Sequence, residues 1–227
     1  MGTNRLRLPQ VTLVGLDTVD PDRLLDAFRV CESYADFGAK TLIAARAPAA
    51  RLRTGIRLCL LEAQAVCSLA DYSWFMIKRL NDYVETRYAL VIQYDGFILN
   101  AGAWTPEFLA YDYIGAPWGY SDAFNVGNGG FSLRSKRLLR RLQRDAAIQD
   151  CHPEDHCIGR RYAHYLTQKG IRFAPESLAS RFSIEGALHN PEIPIRFGHV
   201  WTGQFGFHGF QKTDISRWTG NPNSATR

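Results

Sequence analysis

Short apolar runs alternate with amphipathic stretches along this chain, and the alternation predicts strands interleaved with helices. Val11–Leu16 is apolar almost throughout and stops at Asp17, which reads as a buried first strand. Asp20-Pro21 has the form of a helix N-cap with proline in the first turn, where the missing N–H would have no partner anyway. Leu24, Leu25, Phe28 and Cys31 then recur at helical spacing and predict one buried face. Lys40–Ala44 predicts a second strand. Ile56–Ala70, apolar and alanine-rich, predicts a buried helix, and Tyr72–Val84 another with Phe75, Leu80 and Tyr83 as core candidates. Tyr88–Gln93 is the clearest strand and breaks off at Tyr94-Asp95-Gly96.

In the second half, Thr105-Pro106-Glu107 opens a short helix and Tyr113–Ala116 forms a short strand. A glycine-rich turn, Val126-Gly127-Asn128-Gly129-Gly130, runs into a strand in which Phe131 and Leu133 alternate with polar residues. Residues 134–144 predict a basic amphipathic helix with Leu138, Leu139 and Leu142 inward. A helix from Glu154 to about Lys169 is closed by Gly170, and Ile171–Phe173 is a late strand. After Pro175 the chain reads as irregular, and from Gln211 as a frayed tail. Strands alternating with helices imply an α/β sandwich with a mainly parallel sheet, one domain over residues 1–210 and a flexible tail over 211–227. Ligands of such sheets bind outside the carboxyl ends of the strands, so Asp17 and Asp95 are expected on one rim.

Composition narrows the classes. With 227 residues, 46% of them hydrophobic, the chain can bury a full core without disulfides or a structural metal. Its five cysteines (Cys31, Cys59, Cys67, Cys151 and Cys157) are odd in number and form no CxxC pair, which suits reduced thiols in a cytoplasmic setting and supplies no four-ligand zinc site. No apolar run approaches the roughly 20 residues that span a bilayer, and Met1–Pro9 lacks the apolar core of a secretory signal. The formal charge of +5 is mild and gathers in 134–144. Such a stripe is either a solvated helix face or a contact for an anionic surface, here the inner membrane, or for a phosphate-bearing ligand. No nucleic-acid module accompanies it, so nucleic acid is not an expected partner.

The chemistry-bearing candidates are few. Asp95 ends a buried strand, where a carboxylate is costly unless paired, hydrated or bound to a cation. Gln93, two residues earlier, points to the same side. The pair offers oxygens to a divalent ion or to ribose hydroxyls, or Asp95-Gly96 is simply a turn. Asn128, Gly129 and Gly130 allow backbone and an amide side chain to approach sugar hydroxyls, or form a tight connection into a strand. Glu154 and Asp155 open a helix, where the dipole alone favours acids. One of them facing a cleft would serve as a general base. His156 reads as a surface or packing histidine. His199 and His208 lie in an aromatic, glycine-rich stretch that is either a flap on the sheet or a source of a late metal or phosphate ligand.

Leu90–Ile98, Tyr111–Trp118, the Val126–Ser135 stretch and Pro153-Glu154-Asp155-His156 together resemble a family of glycosyltransferase-like domains found among bacterial polysaccharide-biosynthesis proteins. The layout is also similar to the fringe and β-1,3-galactosyltransferase group of GT-A enzymes. There an Asp-x-Asp motif ends a central strand, a glycine-rich strand follows, and a Glu-Asp motif comes later. The resemblance runs in patches from about Tyr88 to Gly209 and is weak before Tyr72. It implies a GT-A-like, nucleotide-diphospho-sugar transferase sandwich. It implies donor binding by Gln93, Asp95, Asn128, Gly129 and Gly130, to which the strand-end position adds Asp17, and catalysis by Asp155 with Glu154. It also implies a divalent cation, manganese or magnesium, at Asp95 and His208. Gln93 stands where that group has its first acid.

The reaction so implied moves a sugar, with inversion, from a nucleotide donor (a UDP-sugar is favoured) to a glycan or lipid-linked acceptor in surface-polysaccharide assembly. Asp155 would take the acceptor proton, the nucleotide would lie against Val14–Asp17, and Arg46 is a candidate diphosphate contact. The setting would be cytoplasmic, with the basic helix able to touch the inner membrane. A non-catalytic glycan- or nucleotide-binding module is the first rival, favoured by Gln93. A nucleotidyltransferase is the second, opposed by the absence of a glycine-rich basic loop after the first strand.

Overall fold

A computed structural model describes residues 5–62, 64–185 and 202–209. His199 and the tail expected over 211–227 lie outside the described residues. Strand β1 (Leu6–Leu16) leads through Asp17 into helix α1 (Pro21–Tyr34), where the Asp20 side chain accepts the Asp22 N–H and Pro21 occupies the first turn. Leu24, Leu25, Phe28 and Cys31 are all buried against the sheet. Strand β2 (Ala35–Ala44) follows without a loop. Both early strands start five residues before their apolar cores, because the Leu6–Leu8 end of β1 pairs with Ala35–Phe37 across a register shift near Pro9.

The helix expected over 56–70 does not form. Ile56–Leu60 is strand β3, a parallel partner of β2 at the sheet edge, and the chain after it is irregular up to Ser68. A short apolar run carries no helical period of its own, and here pairing with β2 decides its state. Helix α2 (Leu69–Lys78) begins three residues earlier than predicted because Ser68 and Asp71 form a reciprocal capping box. A 3₁₀ turn over Leu80–Tyr83 completes that segment.

Strand β4 (Tyr88–Ile92) lies at the centre, and Gly96–Ile98 is a short strand β5. Thr105 caps a 3₁₀ turn, Pro106–Ala110, where a short helix is expected, and β6 is only Tyr113–Ile114. Strand β7 (Phe131–Ser135) is buried at every residue, and helix α3 (Lys136–Arg144) follows directly. Arg134 therefore belongs to the strand and is fully buried, so the basic helix is shorter than 134–144 by its first two residues. The single helix expected from Glu154 to Lys169 is broken into α4 (Glu154–His156), a wide π turn over Cys157–Arg161, and α5 (Ala163–Gln168). Gly170 ends it with φ +80°, a conformation open to glycine. Ile171–Phe173 contributes only an isolated bridge between Phe173 and Tyr113 in place of the late strand. Beyond Pro175 the chain is ordered where irregularity is expected: helix α6 (Glu176–Phe182), then strands β8 (Ser183–Glu185) and β9 (Gly206–His208).

The protein is thus mixed α/β with a six-stranded, mostly parallel sheet in the order β3-β2-β1-β4-β7-β6. β1 to β4 run parallel, and β7 alone runs against its neighbours. A second sheet, β5-β9-β8, stacks at the carboxyl end of β4. Phe131, Phe182 and Phe205, all buried, join the two sheets, with ring centroids 5.3 to 5.9 Å apart. No helix of the described residues is long and apolar enough to cross a membrane.

Candidate functional site

Because β1 and β4 are parallel neighbours, their following loops meet on one rim, as the sheet rule requires. A cavity of about 290 Å³ opens there, lined among others by Asp17, Arg23, Leu69, Tyr72, Gln93 and Tyr94. The Asp17 carboxylate is already committed. One oxygen accepts the Val19 and Asp20 N–H groups, both at 2.9 Å, and the other accepts Arg23 Nε at 2.6 Å. Asp17 thus shapes the turn and aims a cation, while Arg23 also lies over the Tyr94 ring, 3.8 Å from its centroid. Arg46 points elsewhere: it is exposed and faces Asp20 and Asp22 at 3.7 and 3.6 Å.

Gln93 belongs both to the cavity and to a polar cluster beneath it. Its backbone N–H donates to the Gly130 carbonyl, and its side-chain amide donates to the Tyr72 hydroxyl at 2.8 Å. Its amide oxygen lies 2.9 Å from His208 Nε2. An amide oxygen only accepts, so this imidazole nitrogen carries the hydrogen. Asp95 is 3.3 Å from the same nitrogen, and Glu185 on β8 is 3.4 Å from His208 Nδ1. Burial works to lower the imidazole pKa, but the Asp95 and Glu185 carboxylates beside its two nitrogens outweigh it and push the pKa up to about 10. His208 reaches Gln93 and Asp95, residues 113 to 115 positions away in sequence, because β9 pairs antiparallel with β5. Among the described residues, no group of three or more His, Cys, Asp and Glu side chains is arranged to hold a metal ion.

The glycine turn is fitted to this cluster by size. A Cβ on Gly130 would lie 2.1 Å from His208 Nε2, and one on Gly129 would lie 1.6 Å from Glu154 Oε1. Asn128 adopts φ +62° and accepts the Gly130 N–H. Below the turn, Arg134 donates to the Ser132 hydroxyl, the Gly129 carbonyl and Glu154 Oε1, at 3.0, 3.2 and 3.2 Å. At the turn, the buried donors Arg134 Nη1 and Asn128 Nδ2 meet no protein acceptor among the described residues. A buried donor left unpaired costs free energy, so each calls for a water or a ligand oxygen.

The two acids of the Pro153-Glu154-Asp155-His156 motif part company. Glu154 is turned inward onto Arg134, and burial, with the adjacent Asp155 charge, raises its carboxyl above the usual range. Asp155 stays half-buried at the helix start, where its carboxylate accepts the His156 N–H at 2.8 Å. Both carboxylates act on Tyr72 in the cavity wall: burial of the hydroxyl, then the Glu154 and Asp155 charges, push its pKa well up. His156 packs against Trp118, centroids 4.9 Å apart.

The structure therefore places Gln93, Asp95, His208, Gly129 and Gly130 together, with Asn128, Glu154 and Asp155 adjoining through the turn and Asp17 across the cavity. Arg23, Tyr72, Tyr94 and Glu185 are added. Tyr94 was legible as the middle of Gln93-Tyr94-Asp95, and Arg23 as the residue one helical turn after Asp20. Glu185 had no sequence signal, since only the pairing of β8 with β9 sets it beside His208.

Residues 55–195 match the family described as Protein of unknown function (DUF5672), which covers more than half of the chain, so the chain belongs to that family. No curated protein matches it.

Proposed function

We propose that the protein is a glycosyltransferase that uses a nucleotide-diphospho-sugar donor on a GT-A-like sheet. The observation that carries this reading is Gln93: it lies both in the rim cavity between β1 and β4 and in the polar cluster below it. A nucleoside in that cavity would direct its diphosphate past Arg23, the cation held there by Asp17 and Tyr94. The sugar would then lie toward the Gly129-Gly130 turn, where the missing side chains leave room for Glu154 and His208 to pack against the backbone.

In the reaction, Asp155 accepts the proton of the acceptor hydroxyl. The hydroxyl oxygen bonds to the anomeric carbon as the bond from that carbon to the diphosphate oxygen breaks. The nucleoside diphosphate leaves with the electron pair, its charge met by Arg23. Glu154 holds Arg134, and through it the Gly129 carbonyl, in place. The divalent ion implied by the resemblance does not fit the donors as they stand. His208 Nε2, the nitrogen nearest Asp95, spends its hydrogen on Gln93 and has no lone pair to give. No step is routed through an ion.

The same Gln93 geometry favours one second reading, a binding module on this fold without turnover. Calorimetry with uridine, guanosine, cytidine and thymidine diphosphates, followed by assay of diphosphate release from the matching sugar donors, separates the two. Binding that Arg23→Ala weakens, together with release, supports the transferase. Binding without release across a broad acceptor panel supports the module, and no binding by any of the four removes both.

A further inference from the structure

A second concave site lies away from the rim. α3 leaves the sheet at Ser135, which pairs with Tyr88, the first residue of β4, so the helix starts from the amino end of that strand. A cavity of about 630 Å³ is lined there by Arg137, Arg140, Arg141 and Arg144 of α3, together with Lys169 just after α5. The four arginines recur at intervals of three and four, which puts them on one helix face opposite the buried Leu138, Leu139 and Leu142. Lys136 is not part of the stripe: its ammonium is spent on the Asn81 and Val84 carbonyls.

We propose that this cavity binds a ligand carrying two or more linked phosphates. Like charges at these helical spacings repel and weaken the helix unless a counter-charge meets them. Among the described residues, Asp145 is the only acid lining the cavity, and it is used within the fold. It accepts the Tyr165 hydroxyl at 2.8 Å and the Ala147 N–H at 3.0 Å, bonds that hold its carboxyl below the usual range, and Arg141 lies 3.5 Å away. Arg137 donates to the Gly170 carbonyl at 2.6 Å and faces Asp112 at 3.7 Å. Lys169 is held over the Tyr165 ring, 5.4 Å from its centroid. Arg140 and Arg144 have no acid within ion-pair distance among the described residues.

Two free guanidinium forks between three cations already fixed by the fold are a receptor for oxyanions, because each fork gives two parallel N–H groups to phosphate oxygens. The volume exceeds what a single phosphate fills, and Lys169, just after α5, adds a cation from a second element to the arginines of α3. The same chemistry is offered by a soluble polyphosphate and by a diphosphate headgroup on a membrane. This inference does not depend on the proposed transferase activity.

The test is calorimetry of the full chain with tripolyphosphate and pyrophosphate, with sulfate at matched ionic strength as control. Tripolyphosphate should bind at least tenfold more tightly than sulfate and weaken as salt rises. Arg140→Glu/Arg144→Glu should lower its affinity at least tenfold, with Arg140→Gln/Arg144→Gln as the milder pair should charge reversal unfold the helix. Arg23→Ala should leave this binding unchanged, which keeps it distinct from any diphosphate bound at the rim. Sedimentation with phosphatidylcholine vesicles that carry either a lipid diphosphate or phosphatidylglycerol, which has a single phosphodiester, identifies the source. Pelleting with the lipid diphosphate alone, reversed by pyrophosphate, marks a headgroup, tripolyphosphate binding without pelleting marks a soluble ligand, and equal pelleting with both lipids overturns the preference for linked phosphates. Tripolyphosphate binding no tighter than sulfate, or equal affinity in both paired variants, overturns the proposal.

Discussion

The rim cluster and the α3 face treat charge in opposite ways. Under the rim, Arg134 meets Glu154, and His208 lies between Asp95 and Glu185, all largely out of water. On α3, Arg140 and Arg144 stand in solvent with no acid near them among the described residues. Charge that is buried and paired fixes the shape of a site, since removing one partner strands the other in a poor solvent. Charge that is exposed and unpaired adds little to stability and is left to interact with something outside the fold. Glycosyl transfer, as proposed, needs the first kind, because a sugar has to be oriented. Anion capture needs the second.

The sharpest way to break this contrast is to remove one cation from each region. Arg134→Met leaves Glu154 buried without a counter-charge and is expected to cost about 3–5 kcal/mol, measured by urea unfolding. Arg140→Met is expected to change stability by less than about 0.5 kcal/mol. Adding Glu154→Gln to Arg134→Met should restore part of the loss. Equal effects of the two single substitutions would show that Arg134 is not the keystone its burial makes it.

The second prediction divides the acidic pair within the rim itself. Asp155→Asn is expected to lower turnover about a hundredfold or more, roughly 2.7 kcal/mol of barrier, with unfolding free energy changed by less than about 1 kcal/mol. Glu154→Gln should do the reverse, losing stability first, because Glu154 faces Arg134 and not the solvent side. Full turnover in Asp155→Asn would remove the base from the proposed reaction.

A third test probes the fit of the glycine turn. In Gly130→Ala the new methyl would meet the His208 ring at 2.1 Å, so the ring has to leave its place against Gln93. Overpacking of this kind costs about 1–3 kcal/mol. The imidazole resonances of His208 should shift with it, and unchanged resonances would show that the turn has room to spare.

How far the chain disclosed all this follows from how local each feature is. β1, α1, β4 and β7 announce themselves through apolar runs and caps that need no distant partner, and the predicted rim follows from the parallel order of β1 and β4. β3 does not, because Ile56–Leu60 is too short for a period and becomes a strand only by lying beside β2. β8 and β9 are three residues each and exist through pairing with one another and with β5. That pairing brings His208 to Asp95, so the aromatic stretch of the sequence marked the residue but not the route. Arg134 was read with the basic helix because its neighbours in sequence are cations. Its burial depends on Glu154, twenty residues on, and on a strand covered on both faces.

The smallest expected effect concerns the ion that the resemblance implies and the geometry disfavours. In the Asp-x-Asp pattern two carboxylates present oxygens to one cation, and an imidazole nitrogen would complete the set only with its lone pair free. Here the first of those positions is Gln93, whose amide is fixed at both ends: its nitrogen donates to Tyr72 and its oxygen accepts from His208. Loading an ion would require His208 Nε2 to lose its hydrogen, which the Asp95 and Glu185 carboxylates beside the ring oppose. It would also require the Gln93 contact to be broken. Removing divalent ions with a chelator is therefore expected to change uridine diphosphate affinity by less than about twofold, or roughly 0.4 kcal/mol. Asp95→Asn, which keeps the shape but drops the charge beside His208, should then alter binding to the same extent with and without added manganese. A manganese-dependent gain of tenfold or more in the wild type, lost in Asp95→Asn, would mean that ligand binding rearranges Gln93 and His208 into a metal site after all. The rim would then owe its charge balance to an ion from outside, as the α3 face does.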